Sequence, residues 1–286
     1  MPANSNSRRN VLITGCSTGI GHCVAHGLKK RGYRVIASAR KAAHVERLQA
    51  EGLECLQLDL DDPLSIERAV QELADSTGRE IYGLFNNAGF GQPGAVEDLR
   101  RDVLRAQFET NVFGTIDLTN RVLPWMRAAG EGRIIQNSSV LGFVALAYRG
   151  AYNASKYALE GLYDTLRLEL DGSGVYAVLI EPGPITSRFR ANAFAAYQRN
   201  IDVDNSVHRD SYLATEKRLL KEGPAVPFTL PPEAVLDKVI RALESPRPAP
   251  RYYVTFPTWL FGTLKRVLGS RTLDRVLLKV SRGEQK

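Results

Sequence analysis

The sequence predicts an α/β fold: a doubly wound parallel sheet in a single domain, followed by an amphipathic helical tail at the C-terminus. Three observations predict it. Short β-rich runs alternate with segments of helical spacing over residues 10–183. The first run ends in a glycine-rich turn that opens a helix. A length of 286 residues, 44% hydrophobic and 24% charged, suits one large α/β domain or two small ones.

The elements follow in order. NVLIT (10–14) is β-rich and runs into glycines, and 20–31 has helical spacing closed by Gly32. RVIASA (34–39) predicts a strand, 42–51 a helix and ECLQLDL (54–60) a strand. Pro63 opens a helix over 63–77, in the first turn, where a missing N–H costs nothing. IYGLFNNAG (81–89) predicts a fourth strand and a turn, 101–129 a long helix, and GRIIQNSS (132–139) a fifth strand. A helix over 152–170 and a strand in VYAVLIEPG (175–183) complete the alternation, which implies right-handed crossovers. Beyond it, 187–222 reads as irregular helix forming a substrate loop or lid, and 230–245 as a helix with proline in its first turn. The expected organisation is a disordered lead over 1–9, a domain over 10–250 and a basic tail over 251–286.

The net charge is +7, and residues 246–286 hold nine Lys/Arg against two acids, so the body is formally neutral. A nucleic-acid enzyme carries its basic stripe on the body, so no nucleic-acid partner is expected. Cys16, Cys23 and Cys55 form no Cys-x-x-Cys pair, which points to a reducing compartment, the cytoplasm. The polar start carries no segment of signal-peptide type.

Chemistry first shows in AYNASKYALEG (151–161). Tyr152 and Lys156 are four apart, so both side chains leave one face of a helix. A free phenol titrates near ~10, too high for acid–base work at neutrality, and a nearby cation lowers it. This is the only tyrosine with a lysine four residues on.

The turn TGCSTGIG (14–21) spaces its glycines G-x-x-x-G-x-G between strand and helix. Such a turn brings bare backbone and a helix N-terminus to a pyrophosphate. The second strand ends in Ala39, Arg40 and Lys41, with no acid to accept from a ribose 2′-hydroxyl. Arg40 can grip a 2′-phosphate instead, so the expected cofactor is NADP(H).

Together these residues resemble the short-chain dehydrogenase/reductase family in its compact single-domain, Rossmann-type branch, over roughly residues 10–190. The family's glycine motif corresponds to Thr14–Gly21, its N-N-A-G turn to Asn86–Gly89, its active-site asparagine to Asn111 and its serine to Ser139, thirteen residues before Tyr152. Ser138 is a neighbouring decoy. The resemblance implies cofactor contacts from Gly15, Ser17, Thr18, Gly19, Ile20, Gly21, Arg40, Asp59, Leu60, Asn87, Ala88, Gly89, Tyr152, Lys156, Pro182, Gly183, Ile185 and Ser187. The usual threonine is Ser187 here, with Thr186 as an alternative donor. It also implies that Tyr152 is the general acid/base, that Ser139 orients the reacting oxygen, that Lys156 holds the nicotinamide ribose, and that Asn111 holds a relay water. A homo-oligomer, dimer or tetramer, joined through the helices near 101–129 and 151–171 is implied as well.

The apolar run VLGFVALAY (140–148) beside these polar groups suits a hydrophobic alcohol or carbonyl, touching Ser139, Leu141, Phe143 and Tyr152. Within the family the chain is similar to NADP-preferring 17β-hydroxysteroid and retinol dehydrogenases and to aldehyde reductases. That implies a steroid-, retinoid- or long-chain-aldehyde-like substrate. The other readings are a sensor that binds NADPH without turnover and, more weakly, a sugar-nucleotide epimerase. His22 and His26 have metal-ligand spacing, but no third ligand is evident in sequence, and no metal is expected. Cys16 reads as a small filler of a tight turn. Leu260, Leu264, Val267 and Leu268, then Leu273, Val276, Leu277 and Val280, form apolar faces ringed by basic residues, with Trp259 alongside. Three fates stay open for this tail: peripheral contact with a membrane surface, a fold back over the cleft, or packing in a dimer.

Overall fold

The computed structural model describes residues 9–223 and 226–284. Of the expected lead, residues 1–8 lie outside the described residues, and Arg9 is anchored by an ion pair to Glu131. The body is one parallel sheet of seven strands in the order β3-β2-β1-β4-β5-β6-β7. The strands are β1 Asn10–Ile13, β2 Arg34–Ala39, β3 Glu54–Gln57, β4 Gly83–Asn86, β5 Gly132–Asn137, β6 Val175–Glu181 and β7 Arg251–Tyr253. Strands β1, β3, β4, β5 and β6 are shorter than the predicted runs.

Alternation within the strands splits the core in two. Val11, Ile13, Val35, Ala37 and Phe85 point to one face, and Leu12, Ile36, Leu84 and Ile134 to the other. The first face is covered by α1 (Gly19–Lys30), α2 (Ala42–Ala50) and α9 (Glu233–Glu244), through Val24, Leu28, Leu48, Val235 and Val239. The second takes α3 (Pro63–Thr77), α5 (Gly114–Ala129) and α6 (Gly150–Glu169), through Ile66, Leu73, Leu118, Val122, Leu159 and Tyr163.

The predicted helix over 101–129 is interrupted. α4 (Arg101–Phe108) passes into a π-helical turn, Glu109–Phe113, before α5 begins. Such turns widen a helix locally and recur at functional sites. This one carries Asn111. Gly114 follows because a side chain there would run into the Leu60 carbonyl.

Residues 187–222, expected to be irregular, form two ordered helices, α7 (Phe189–Asn200) and α8 (Arg209–Leu220). Ala193, Tyr197, Tyr212 and Leu219 pack with Ala95, Leu99 and Val103 into a third apolar cluster. The Tyr212 hydroxyl donates to Asp98 at 2.5 Å and accepts from the Ala95 amide at 2.9 Å.

The boundary at residue 251 needs correcting. Arg251–Tyr253 is not tail: it pairs with β6 and closes the sheet. Its anchor is Arg251, whose guanidinium reaches Asp164 at 2.6 Å, Glu181 at 3.1 Å and Glu160 at 3.3 Å. Glu181 is fully buried, and burial together with Glu160 pushes its carboxyl up to about 9. The tail proper is α10 (Phe256–Val267) and α11 (Ser270–Gly283). No helix among the described residues is long and apolar enough to cross a membrane.

Arg251→Met leaves Asp164 and Glu160 without their guanidinium and the buried Glu181 carboxyl facing an apolar group. Breaking one partner out of a buried ion cluster costs about 3 kcal/mol, which urea unfolding at pH 7 measures. The deficit shrinks with acid. Burial raises the Asp164 carboxyl, but Arg251 and Arg167 more than offset that and hold it below its ordinary value. Stability from such a depressed acid is present above its unfolded pKa and lost as pH falls through the folded one. The variant therefore approaches the native chain only as pH falls below the ordinary aspartate range.

Candidate active site

The turn after β1 and the turn after β4 meet at the carboxyl edge of the sheet, where strand order reverses and ligands bind in open α/β folds. Thr14, fully buried, makes the junction. Its hydroxyl accepts the amides of Asn87 and Ala88, both at 2.9 Å. The Asn87 side chain returns a bond to the Thr14 carbonyl at 2.9 Å. Gly15 (φ +71°) admits no side chain, since a Cβ would stand 2.8 Å from Ala88 Cα. At Gly19 (φ +61°) a Cβ would stand 2.9 Å from the Ser187 side chain. Gly21 lies beneath the loop, against the Gly15 carbonyl and the Asn87 amide. The α1 N-terminus has Thr18 at its cap and no acid in its first turn, which leaves its field open to an anion. This cradle of bare backbone fits a pyrophosphate.

On α6, Lys156 is buried and donates to the Asn137 carbonyl at 2.7 Å. Its ammonium lies 5.6 Å from the centre of the Tyr152 ring. Burial pushes Lys156 down to about 8 and Tyr152 up to about 12, the latter opposed by the Ser139 hydroxyl and by Arg149. A net lowering of Tyr152 is thus not present in the chain by itself: loss of water around the phenol outweighs the pull of Ser139 and Arg149. Of the two serines, Ser139 faces Tyr152, and Ser138 is taken by the Glu160 carboxylate. Asn111 is buried. It donates to the Phe90 carbonyl at 3.0 Å and to Ser155 at 3.1 Å, and accepts the Phe90 amide at 3.1 Å.

These groups open into a cleft of about 1100 Å³ that joins the glycine loop to an apolar chamber. The family model for short chain dehydrogenases matches residues 9–198. The chain belongs to the short-chain dehydrogenase family. The "Uncharacterized oxidoreductase YbbO" of Escherichia coli strain K12 is 44% identical over 270 residues, covering 94% of each chain. Retinol dehydrogenase 8 of Homo sapiens is 33% identical over 292 residues, covering 96% of this chain and 92% of its own. The crystal structure of a short-chain dehydrogenase from Streptomyces avermitilis, 28% identical, superposes with a TM-score of 0.74 over 97% of this chain and 99% of that one.

The short-chain dehydrogenase cleft gathers most of the residues that the sequence singled out. Gly15, Ser17, Thr18, Gly19 and Ile20 line it on the β1 side, and Asn87, Ala88 and Gly89 on the β4 side. Ser139, Leu141, Tyr152, Lys156, Pro182, Gly183, Ile185, Thr186 and Ser187 complete that wall. Asn111 stands one layer behind, under Gly89 and Phe90. Asp59 and Leu60 lie off the wall: the Asp59 amide donates to Ser65, and Leu60 is buried against Gly114. Arg40 lies at the exposed end of β2. Phe143, expected against the substrate, turns away from the cleft; its ring lies 5.7 Å from Tyr253, and Leu146 takes the wall position. Cys16 donates to the Ile13 carbonyl at 3.2 Å, and burial pushes its thiol up to about 12, as a filler requires.

The fold of the tail back over the cleft, one of the fates the sequence left open, is seen in α10 and α11: Phe256, Leu260, Phe261, Val280 and Glu284 line the cleft. Sequence reasoning missed Glu51, whose carboxylate oxygen accepts from His22 at 2.7 Å and His26 at 2.9 Å, the third group that sequence spacing did not reveal.

Thr14→Val keeps the shape and removes the hydroxyl that holds both turns. Two part-buried amides lose their acceptor, which costs about 1–3 kcal/mol, read by urea unfolding. Thr14→Ser restores most of it; equal losses in both variants would assign the effect to packing.

Proposed function

We propose that the protein is an NADP(H)-dependent oxidoreductase acting on a hydrophobic alcohol or carbonyl compound, of steroid, retinoid or long-chain-aldehyde type. The observation that carries this reading is the convergence of Tyr152, Ser139 and Lys156 on one apolar cleft beside the glycine cradle. When bound, the nicotinamide supplies or takes up the hydride. Tyr152, held protonated by burial, delivers its proton to the carbonyl oxygen during reduction. Ser139 donates to the same oxygen and fixes its position. Lys156 keeps its ammonium against the Asn137 carbonyl, where it holds the ribose. Asn111 pins the Phe90 turn to α6 through Ser155 and, by family resemblance, holds the relay water.

The field at the end of β2 favours a 2′-phosphate. Burial and the surrounding cations Arg47, Lys41, Arg188 and Arg40 hold the His44 imidazole below its ordinary pKa, which marks a cluster of positive charge there. Among the described residues Arg40 has no ion pair. Arg47 also reaches the Ser17 carbonyl, joining this cluster to the phosphate turn.

An oligomer through α4–α5 and α6 is supported by the exposure of Phe113, Leu162 and Leu168 along those elements. Contact with a membrane is supported by Phe228, Phe256 and Trp259, which are exposed near the tail's basic residues.

A panel of aldehydes, ketones, steroids and retinoids, followed through the absorbance of reduced cofactor, tests the activity. Tyr152→Phe keeps the ring and lowers the rate about 10²–10⁴-fold while NADPH still binds by fluorescence titration; a rate near that of the native chain would refute the assignment. Ala39→Asp with Arg40→Leu supplies an acceptor for a 2′-hydroxyl and removes the 2′-phosphate partner. The ratio of kcat/KM for NADPH over NADH falls at least about tenfold. An unchanged ratio would place cofactor choice elsewhere.

A further inference from the structure

The cleft carries a second polar centre that the reduction of a plain carbonyl does not use. Arg149 caps α6 one turn before Tyr152, and Arg218 comes from α8; both line the cleft. Their side chains are 20% and 18% exposed. A third guanidinium, Arg190, stands near and is occupied by the carbonyls of Arg218, Lys221 and Gly223. Burial, Arg149 and Arg190 together push Arg218 down to about 10, against Glu284.

Among the described residues Glu284 is the one carboxylate paired with either Arg149 or Arg218. One negative charge thus faces two half-buried positive ones. It also arrives on a weakly held element. Among the described residues α11 has one buried side chain, Leu277; Leu273, Val276 and Val280 are only half-buried, and Ser281 accepts the Ala147 amide. A carboxylate on such a helix can leave far more cheaply than one fixed in the core. Beside the pair, Leu146, Phe189, Leu260, Phe261 and Val280 give the cleft an apolar wall.

We propose that Arg149 and Arg218 form an anion subsite for an acidic group on the substrate, and that Glu284 is an internal ligand which this group displaces. The substrate class is then an apolar carbonyl or alcohol compound that also bears a carboxylate or a comparable acid. Guanidiniums suit this role, since they pair with oxyanions through parallel N–H donors and stay charged when half-buried. The proposal rests on the oxidoreductase reading for its reaction, and on the ion pair alone for its ligand.

The test uses the full chain with NADPH present and two matched probes, octanoate and 1-octanol, measured by calorimetry. Octanoate is expected to bind about tenfold tighter than octanol. Arg149→Gln and Arg218→Gln bring that ratio toward one, and Glu284→Gln raises it severalfold by removing the competitor. The double variant Arg218→Gln with Glu284→Gln removes one charge of each sign, so it guards against loss of fold in the single ones. A ratio near one in the native chain and again in Glu284→Gln would overturn the proposal and leave Glu284 as a fastening of the tail. Turnover of octanal, 8-oxooctanoate and its methyl ester separates the two readings. Reduction of all three with no preference for the acid refutes the subsite alone. No reduction of these three or of any member of the aldehyde, ketone, steroid and retinoid panel refutes the oxidoreductase reading, while the binding ratio still decides the subsite.

Discussion

One chain of hydrogen bonds ties the cofactor turn to the catalytic helix. The Asn87 amide donates to the carbonyls of Thr14 and Gly15, at 2.9 and 3.2 Å. Its oxygen accepts from Asn137 at 3.1 Å, and the Asn137 carbonyl accepts from Lys156 at 2.7 Å. Four segments far apart in sequence, at the ends of β1, β4 and β5 and on α6, are thereby held in one register. The Lys156 bond is buried, where a lost partner costs the full desolvation of the group left behind, and the asparagine bonds are part-buried at the cleft. The path works because β1, β4 and β5 are sheet neighbours. Strand order thus places the three turns side by side, and the asparagines join them.

That path also explains the charge state of the site. Lys156 has a carbonyl for a partner, and a carbonyl does not repay an ammonium its lost water as a carboxylate would. Burial therefore brings the lysine down to about 8, while the phenol nearby goes up to about 12. The two groups are pushed in opposite directions by the same loss of solvent. A neutral phenol is a ready proton donor, and a lysine poised near neutrality responds readily to a change in charge beside it.

Much of this was legible in the sequence where one local rule was enough. Short β-rich runs marked the strands, Pro63 and Gly32 marked helix ends, and the spacing from Ser139 to Tyr152 to Lys156 marked residues that share the cleft. What stayed hidden depends on partners remote in sequence. Arg251–Tyr253 is three residues long and becomes a strand through carboxylates near 160, 164 and 181. The helices α7 and α8 have weak apolar stripes, and their order comes from Tyr197 and Tyr212 packing on the loop near 95–99. Phe143 lay in an apolar run whose periodicity could not tell which residue faces the cleft, and the short turn Val140–Gly142 aims it at Tyr253. Glu51 meets His22 and His26 only because the end of α2 lies beside α1.

The tail adds a requirement that the sheet cannot meet. Hydride transfer proceeds best where water is excluded, yet a cleft at the sheet edge is open on the side away from the strands. α10 and α11 supply that wall, with Leu260, Phe261 and Val280 on the inside. A wall over a substrate channel must also open. Packing alone offers a poor compromise, because apolar area strong enough to hold the wall shut also resists its movement. An ion pair at the free end of α11 divides the work differently. It closes the wall through charges that belong to the channel itself, the guanidiniums of Arg149 and Arg218. Whatever neutralises those guanidiniums then releases the wall, so cover and binding site draw on one set of charges. Among the described residues of the tail, Glu284 is the acid that turns onto those guanidiniums, while Lys265 and Arg266 donate to the Phe143 carbonyl and the Tyr253 hydroxyl.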